Sequence, residues 1–368
     1  MPRRKNMPRR KASQIVSWVL LLAVGLLFLA GGCAKSETIS PAPGEQQEQR
    51  QQPQQAPIEL TYGSIQSASH HYSKADQAWI DKIHKETGGR VRITPYWDGT
   101  LISPEESVAE LLQGVADIGY LAPGYSKAGF EIHKGTLGFY YGIPGYDDRL
   151  RIYAETTAKF PQIEGEFAGI KILCRSVGST YQLISTKPVR ELKDMRGLKI
   201  KGTGVYNEVI KALGATPVSM PMTEVYMALD KGTIDACLAP YETLKGFKFA
   251  EVAKYVTVLN LAGSVYPTRG MNMKSWEKLP PDIQKIFEDN IEFWSNEDKK
   301  WRAAVDDEGI AFGKAQGVEF IELSPADQQK LEEVVGNVMK KEAEKLDALG
   351  LPGTAIFQEV RRIADTLR

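Results

Sequence analysis

The sequence has 368 residues, of which 42% are hydrophobic and 25% are charged. These values are typical of a globular protein, and the length allows two domains with full cores. Residues 1–33 hold six of the 46 basic residues and no acidic one, so the remainder has 40 basic against 46 acidic residues and a net charge of −6. An acidic body argues against nucleic acid as a partner.

The N-terminus predicts an export signal. A basic stretch of eleven residues precedes an apolar run at residues 15–30, and Gly-Gly-Cys33 follows it. Small residues before a cysteine resemble a bacterial lipobox, which predicts lipidation of Cys33. Ordinary signal cleavage nearby and an uncleaved anchor helix are the alternatives, and the true start could be Met7, where MPRRK repeats. Residues 34–57, rich in Gln, Pro and Glu, predict a disordered linker.

The body of the chain alternates predicted strands with predicted helices in two similar units. Apolar strand patterns are separated by amphipathic helical stripes that end at glycine. The strands are expected at residues 58–63, 91–96 and 116–121 in the first unit and at residues 198–200, 216–220 and 233–238 in the second. This order predicts parallel sheets, and two such units predict an α/β protein with two lobes that face each other across a cleft.

The helix starts are inferred from capping signals. A helix is expected at residues 74–86, after a turn that holds His70 and His71. This turn could face a ligand, or its histidines could simply cap the helix. A second helix is expected to begin at Pro104, and Thr223 is the expected N-cap of a third.

Two strand pairs outside these units are predicted to cross between the lobes. They lie at residues 170–175 with 181–185 and at residues 256–261 with 268–273, and such crossings act as hinges. Residues 279–312 keep helical periodicity almost without glycine. They predict one long helix that spans both lobes.

No catalytic constellation is visible in the sequence. All four histidines precede residue 134, and no nucleophile elbow, zinc-protease or P-loop motif occurs. The turn from Gly202 to Gly204 lacks the third glycine of the dinucleotide fingerprint, although its backbone N–H groups suit an anionic ligand. Cys174 and Cys237 are expected to be free buried thiols, with a disulfide as the alternative. No metal or cofactor is expected.

The stretch at residues 191–241 carries the most specific signal. It contains GLKIKGTG and ALGATPVSMPMTEVYMALDKGTIDACLAP, and the matching pieces elsewhere are ETGGRVRITPYWDGTL, ELLQGVADIGY, STKPVRELKDMRGLKI, FAEVAKYVTVLN and MNMKSWEKLPPDIQKIF. In this order they resemble the substrate-binding proteins of TRAP transporters, the DctP family. The resemblance runs from about Ile58 to the C-terminus.

The resemblance implies a two-lobed periplasmic-binding-protein-like α/β fold with crossing strands and a lobe-spanning helix. The implied domains are a signal peptide with lipobox at residues 1–33, a linker at 34–57, lobe I at 58–178 and 265–304, and lobe II at 179–264 and 305–368. The implied function is extracytoplasmic capture of a small organic acid such as a dicarboxylate, and its delivery to TRAP membrane subunits. The protein would be lipid-anchored, monomeric rather than dimeric, and not an enzyme.

The resemblance also implies ligand-binding positions. In the family, an arginine just after the GLKI strand forms a bidentate salt bridge with the substrate carboxylate, and Lys201 stands at that position. A lysine keeps the charge but loses the planar fork. Tyr181, Ala239 and Met222 match the positions of a second arginine, an asparagine and an aromatic residue. These four departures suggest a less acidic or more apolar ligand than a C4-dicarboxylate.

Arg269, on a predicted crossing strand, could supply the missing guanidinium, and Arg175 is a weaker candidate. We hypothesise that Lys201, Tyr181 and Arg269 converge on a monoanionic group. The alternatives are a hinge or surface ion pair for Arg269 and a solvated strand end for Lys201. The remaining candidate ligand contacts are His70, Trp97, Tyr120, Gly204 and Tyr241.

Two other function classes compete with this interpretation. A signalling receptor would use the same fold but dock to a sensor protein, and the sequence does not separate it from a transporter subunit. An enzyme on a similar α/β scaffold would turn its ligand over, whereas a binding protein returns it unchanged.

Overall fold

A computed structural model describes residues 56–367 of the chain. The predictions for the signal peptide, Cys33 and nearly all of the linker lie outside these residues. A search of the described helices finds none with the length and apolarity needed to cross a membrane.

The described chain alternates strands and helices for most of its length. The strands are β1 (Ile58–Gly63), β2 (Val91–Tyr96), β3 (Ile118–Tyr120), β4 (Ile170–Val177), β5 (Tyr181–Ser185), β6 (Lys199–Lys201), β7 (Thr216–Val218), β8 (Ala236–Ala239), β9 (Tyr255–Leu261), β10 (Val265–Asn272) and β11 (Glu319–Glu322). The helices are α1 (His71–Glu86), α2 (Ser107–Gln113), α3 (Glu131–Gly135), α4 (Tyr146–Lys159), α5 (Gln162–Gly165), α6 (Tyr206–Ala212), α7 (Met222–Asp230), α8 (Thr243–Gly246), α9 (Phe249–Val252), α10 (Met273–Trp276), α11 (Pro281–Asp289), α12 (Ile291–Ala315), α13 (Pro325–Ala348) and α14 (Gly353–Asp365).

The strands form two sheets, and each contains one of the predicted parallel units. Sheet I has the order β2-β1-β3-β10-β4, and sheet II has the order β11-β9-β5-β8-β6-β7. In sheet I, β1 pairs in parallel with β2 and β3. In sheet II, β6 pairs in parallel with β7 and β8. The predicted α/β class with two similar units is therefore confirmed.

The two predicted crossings are also present. The chain leaves sheet I at the end of β4 and enters sheet II at Tyr181, and it returns from Leu261 at the end of β9 to the start of β10. The crossings touch, because the backbone N–H of Gly178 donates to the carbonyl oxygen of Ser264 at 2.6 Å. A Cβ on Gly263 would lie 2.6 Å from the carbonyl carbon of Gly178, so only glycine allows this approach.

A buried arginine ties the crossings together. The guanidinium of Arg149, on α4, donates to the carbonyl oxygen of Gly178 at 3.0 Å and to that of Gly263 at 3.1 Å. Burial, and then the charge of Arg302, lower the pKa of Arg149 to about 10, so it stays protonated at neutral pH. The hinge is thus fixed by side-chain contacts that the sequence did not reveal.

The predicted single helix at residues 279–312 is wrong in one respect. Two helices, α11 and α12, meet at Asn290, which has φ −104° and ψ 10°. The buried Asn290 amide donates to the carboxylate of Glu86 and to the carbonyl oxygen of Ile286 at 2.9 Å. The expectation of a lobe-spanning helix holds for α12, which packs against α1 and β4 near sheet I and against α8 near sheet II.

Three helices begin at residues other than those predicted. The first helix begins at His71 rather than residue 74, because the His70 ring accepts a hydrogen bond from the Tyr72 backbone N–H at 3.2 Å. The helix expected from Pro104 begins at Ser107. Pro221, not Thr223, precedes the first residue of α7, and no side chain caps that helix.

The apolar cores show how the lobes are packed. One core unites sheet I with α1, α11 and the first turns of α12. A larger core joins β5, β6 and α6 to α13 and α14, and it includes side chains from residues 132–163. The lobe boundaries stay a prediction, but these side chains, expected in lobe I, pack with strands of sheet II. Cys174 and Cys237 are buried and unbridged, as expected.

Candidate functional site

The ends of four strands meet along one edge of sheet II. Lys201 ends β6, where it pairs with Cys237 of β8, and Ala239 lies two residues further along β8. Tyr181 begins the antiparallel strand β5 and pairs with Leu261 at the end of β9. In α/β sheets, ligands bind outside the carboxyl ends of such strands. The chain enters sheet II at this edge in the first hinge crossing and leaves from it in the second. The edge therefore faces the corresponding edge of sheet I.

Lys201 is a buried cation without a partner. Its side chain is 8% exposed, and its amine makes no hydrogen bond or ion pair with any residue in the range 56–367. Its positive charge opposes the burial that raises the pKa of the Cys237 thiol to about 12. The Nζ atom still reaches solvent, although the residue as a whole is buried, and an ammonium in so poorly solvated a place without a counter-charge is costly. An anionic ligand would remove that cost.

Tyr181 lies on the same edge, with β8 between its strand and that of Lys201. Its half-buried ring makes an edge contact with Tyr206, with centroids 5.9 Å apart. Burial, and then the neighbouring tyrosines Tyr125 and Tyr72, raise the pKa of Tyr181 to about 12, so its phenol stays neutral and can donate a hydrogen bond. Two of the predicted ligand contacts therefore lie on the same edge of sheet II.

Arg269 does not join them. It lies in β10 of sheet I, fully buried, and forms a bidentate ion pair with Asp76 at 2.8 and 2.9 Å. The same carboxylate also accepts from the indole of Trp294 at 2.8 Å and the phenol of Tyr62 at 2.6 Å. The guanidinium lies 4.5 Å from the ring centroid of Tyr120. The sequence left open a hinge or surface ion pair for Arg269, whereas the structure shows a buried ion pair within the core of sheet I, which sets Arg269 behind the surface of the cleft.

Arg175, the weaker candidate, is also occupied. Its guanidinium donates to both carboxylate oxygens of Glu164, at 2.6 and 2.8 Å. The hydrogen bond and charge of Glu164 outweigh burial and raise the pKa of Arg175. Neither Arg269 nor Arg175 therefore supplies the bidentate guanidinium that the family arginine would provide at the position of Lys201.

The aromatic candidates of sheet I lie at the ends of β2 and β3. Tyr120 is buried, and burial raises its pKa above the usual range. Trp97 follows β2 and makes an edge contact with the buried Tyr62 at 5.7 Å between centroids. The phenols of Tyr72 and Tyr120 interact with that of Tyr266 near the start of β10. The facing edge of sheet I is thus rich in tyrosine.

The predicted histidine turn contacts the other lobe. His70 caps α1, and burial followed by the proximity of His71 lowers its pKa to about 4. The Nδ1 atom of His71 lies 3.2 Å from Glu242, which precedes α8 at the edge of sheet II. Glu242 in turn donates its backbone N–H to the carboxylate of Asp306 on α12 at 3.1 Å. The capping alternative is realised for His70, while His71 bridges the lobes.

Glu242, Asp306 and Arg302 were missed in the sequence. Arg302 donates to Ser179 in the hinge at 2.7 Å and to Tyr72 at 2.9 Å. Glu242 could have been found in the sequence, because it lies only three residues after the end of β8, where ligand contacts are expected. The other two lie on a long helix whose polar residues looked like a solvated face, so sequence alone gave no signal.

The remaining candidates lie around this edge. Met222 is the half-buried first residue of α7, and Tyr241 is half-buried with its carbonyl against Gly309 of α12. Gly204, with φ +49°, lines a surface cavity between α3, α6 and α13. A second cavity lies between β9 and α13. Neither cavity is lined by Lys201 or Tyr181. No group of three metal-ligating side chains occurs in the described residues.

The sequence profile of the DctP family, described as bacterial extracellular solute-binding protein family 7, matches residues 62–346. The chain belongs to this family. The solved structure of a TRAP periplasmic solute-binding protein from Desulfovibrio salexigens is 28% identical, with a TM-score of 0.75, over 84% of this chain and 96% of that chain. That structure is an open complex with the C-terminus of a symmetry mate in its ligand-binding site.

Two periplasmic relatives of this family 7 chain have names that state a ligand. The monocarboxylate 2-oxoacid-binding protein of Nostoc is 25% identical over 72% of this chain and 73% of the relative. The C4-dicarboxylate-binding protein DctP of Rhodobacter capsulatus is 25% identical over 79% of this chain and 88% of the relative. The fold and family are those of substrate-binding proteins.

Proposed function

We propose that this protein captures a small organic acid between its two lobes, outside the cytoplasm, and delivers it to the membrane subunits of a TRAP transporter. The observation that carries the proposal is Lys201, a buried residue with an unpaired cation at the carboxyl end of β6, in the parallel part of sheet II. The carboxylate-binding relatives and the family assignment support it.

In this proposal the ligand carboxylate accepts hydrogen bonds from the Lys201 ammonium and the Tyr181 phenol. A lysine holds a carboxylate as a point charge, so orientation must come from the surrounding walls. The tyrosines of sheet I, including Tyr120, would line the opposite wall with Trp97, and Ala239 and Met222 would leave room beside Lys201. Arg269 would support this wall through Asp76 without touching the ligand.

Binding energy would go into closure of the lobes about the hinge, and no bond of the ligand would change. Ligand recovered unchanged after incubation, by mass spectrometry, would agree with a binding protein, and a new product would revive the enzyme alternative. We also infer that Cys33 carries the lipid anchor. Membrane association that survives in Cys33→Ser would contradict that inference.

The proposal is tested by thermal shift and calorimetry of the purified protein with a panel of carboxylates, sulfonates and neutral sugars. At least one carboxylate should bind, and Lys201→Met should lose about 100-fold or more in affinity for it. Lys201→Arg is the matched control, because it keeps the charge and should retain measurable binding. Binding of sugars alone, or equal carboxylate affinity in Lys201→Met, would contradict the proposal.

A further inference from the structure

Three Lys or Arg residues in the described range are buried, and two of them have partners. Arg149 is bonded to backbone carbonyl oxygens of the hinge, and Arg269 to Asp76. Only Lys201 has no partner. The site therefore offers one buried positive charge to a ligand, which is enough for one carboxylate.

The other polar wall of the cleft is acidic. Glu242 lies 3.2 Å from His71 of the opposite lobe, and Asp306 accepts its backbone N–H. Burial alone would raise the pKa of Glu242, but the hydrogen bond and charge of His71, with the charges of His70 and Arg302, outweigh it and lower that pKa. Glu242 is therefore a carboxylate at neutral pH.

Arg302 makes no ion pair with Glu242 or Asp306, although its charge acts on both. Its guanidinium is bonded to Ser179 and Tyr72 and lies 3.4 Å from Asp298 on the same helix. After burial and the neighbouring tyrosines, the charge of Arg302 lowers the pKa of Tyr181 and the charge of Glu242 raises it. Glu242 is therefore a negative charge close to the proposed carboxylate site.

We propose that Glu242, backed by Asp306, makes the site select ligands with a single negative charge and reject dicarboxylates. Two carboxylates brought together in a partly dry cleft repel each other, and such repulsion is a common source of specificity. The inference rests on the proposed function, because it assigns the ligand class of that same site. The residue that would distinguish this chain from a C4-dicarboxylate binder is Glu242. It lies outside the family positions that Lys201, Tyr181, Ala239 and Met222 occupy.

The test compares matched ligands that differ by one carboxylate. The pairs are butyrate with succinate, 2-oxobutyrate with oxaloacetate, and benzoate with phthalate, each titrated at pH 7.5 into the wild-type protein, Glu242→Gln and Asp306→Asn. In the wild type, the monocarboxylate of the best-bound pair should bind at least about tenfold more tightly than its dicarboxylate partner. Glu242→Gln should narrow that ratio by about tenfold, and Asp306→Asn should narrow it by less.

His71→Gln is the control for closure. It changes the contact between the lobes, but its amide N–H can still donate to Glu242 and favour the carboxylate form, so it should affect both members of a pair alike and leave the ratio of their affinities unchanged. A dicarboxylate that binds the wild type as tightly as its partner would overturn the inference. So would a ratio that stays the same in Glu242→Gln. Failure of the proposed function has a different signature, in which no carboxylate binds the wild type or Lys201→Met binds as well as the wild type.

Discussion

Lys201 and Arg269 are both buried cations close to the facing edges of the two sheets, yet their surroundings differ. Arg269 is matched by Asp76, which also accepts from Trp294 and Tyr62, so the whole group is satisfied within lobe I. Lys201 has no such partner. A buried charge with a built-in counter-charge belongs to the fold, whereas one without it is available to a ligand. The comparison assigns opposite roles to two residues that look equivalent in the sequence.

The largest effect is expected when the ion pair between Arg269 and Asp76 is broken. Asp76→Ala leaves the Arg269 guanidinium buried without a counter-charge and two further donors unmatched. Chemical denaturation should show a loss of about 3–5 kcal/mol in the free energy of unfolding. A loss below about 1 kcal/mol would mean that the ion pair contributes little and that Arg269 is available for another role.

Substitution of the unpaired Lys201 should weaken ligand binding without weakening the fold. Lys201→Met removes an uncompensated buried charge, so the free energy of unfolding should stay the same or rise by about 1–2 kcal/mol. Lys201→Met would then lose ligand affinity but not stability, whereas Asp76→Ala would lose stability. Both quantities should be measured for both variants. A strongly destabilised Lys201→Met would place Lys201 in the fold as well.

A smaller effect is expected at Asp306, whose pKa burial raises to about 6. Because the folded-state pKa lies above the unfolded value, the charged form of Asp306 destabilises the protein, and this destabilising contribution should disappear as pH falls from about 7 toward 4. Asp306→Asn should therefore stabilise the protein by about 1 kcal/mol at pH 8, with no effect at pH 4. Denaturation curves at the two pH values check this, and an equal effect at both would contradict it.

The smallest effect is expected for a cation that is paired but exposed. Arg190 donates to both carboxylate oxygens of Glu319, yet both side chains are about half exposed. Solvent screening makes such pairs weak. Arg190→Ala should leave the denaturation midpoint unchanged within error, and a clear decrease would show that burial does not separate strong pairs from weak ones in this protein.

Much of the fold could be predicted from the sequence because local patterns encode it. The bounds of β1, β2 and β5 follow from apolar runs closed by glycine or polar residues, and the two parallel units follow from strand–helix order. The break at Asn290 could not be predicted, because it depends on a contact with Glu86, 204 residues away in the chain.

The site was predicted only in part, for a similar reason. Lys201 and Tyr181 could be found because they stand at strand ends and at recognisable family positions. The sequence could not show that Arg269 would be bonded to Asp76, since 193 residues separate the two. Glu242 and Asp306 acquire a role only when the lobes and α12 come together. Residues that depend on tertiary contacts leave no local pattern.

The most direct test of the central claim observes the Lys201 ammonium itself. Proton–nitrogen NMR of the lysine NH₃⁺ groups should be recorded with and without a saturating carboxylate that binds the protein. The account predicts one new, slowly exchanging NH₃⁺ signal in the complex, which is absent from Lys201→Met, because a carboxylate would protect this group from exchange with water. A complex in which no lysine signal changes would show that the ligand is held elsewhere.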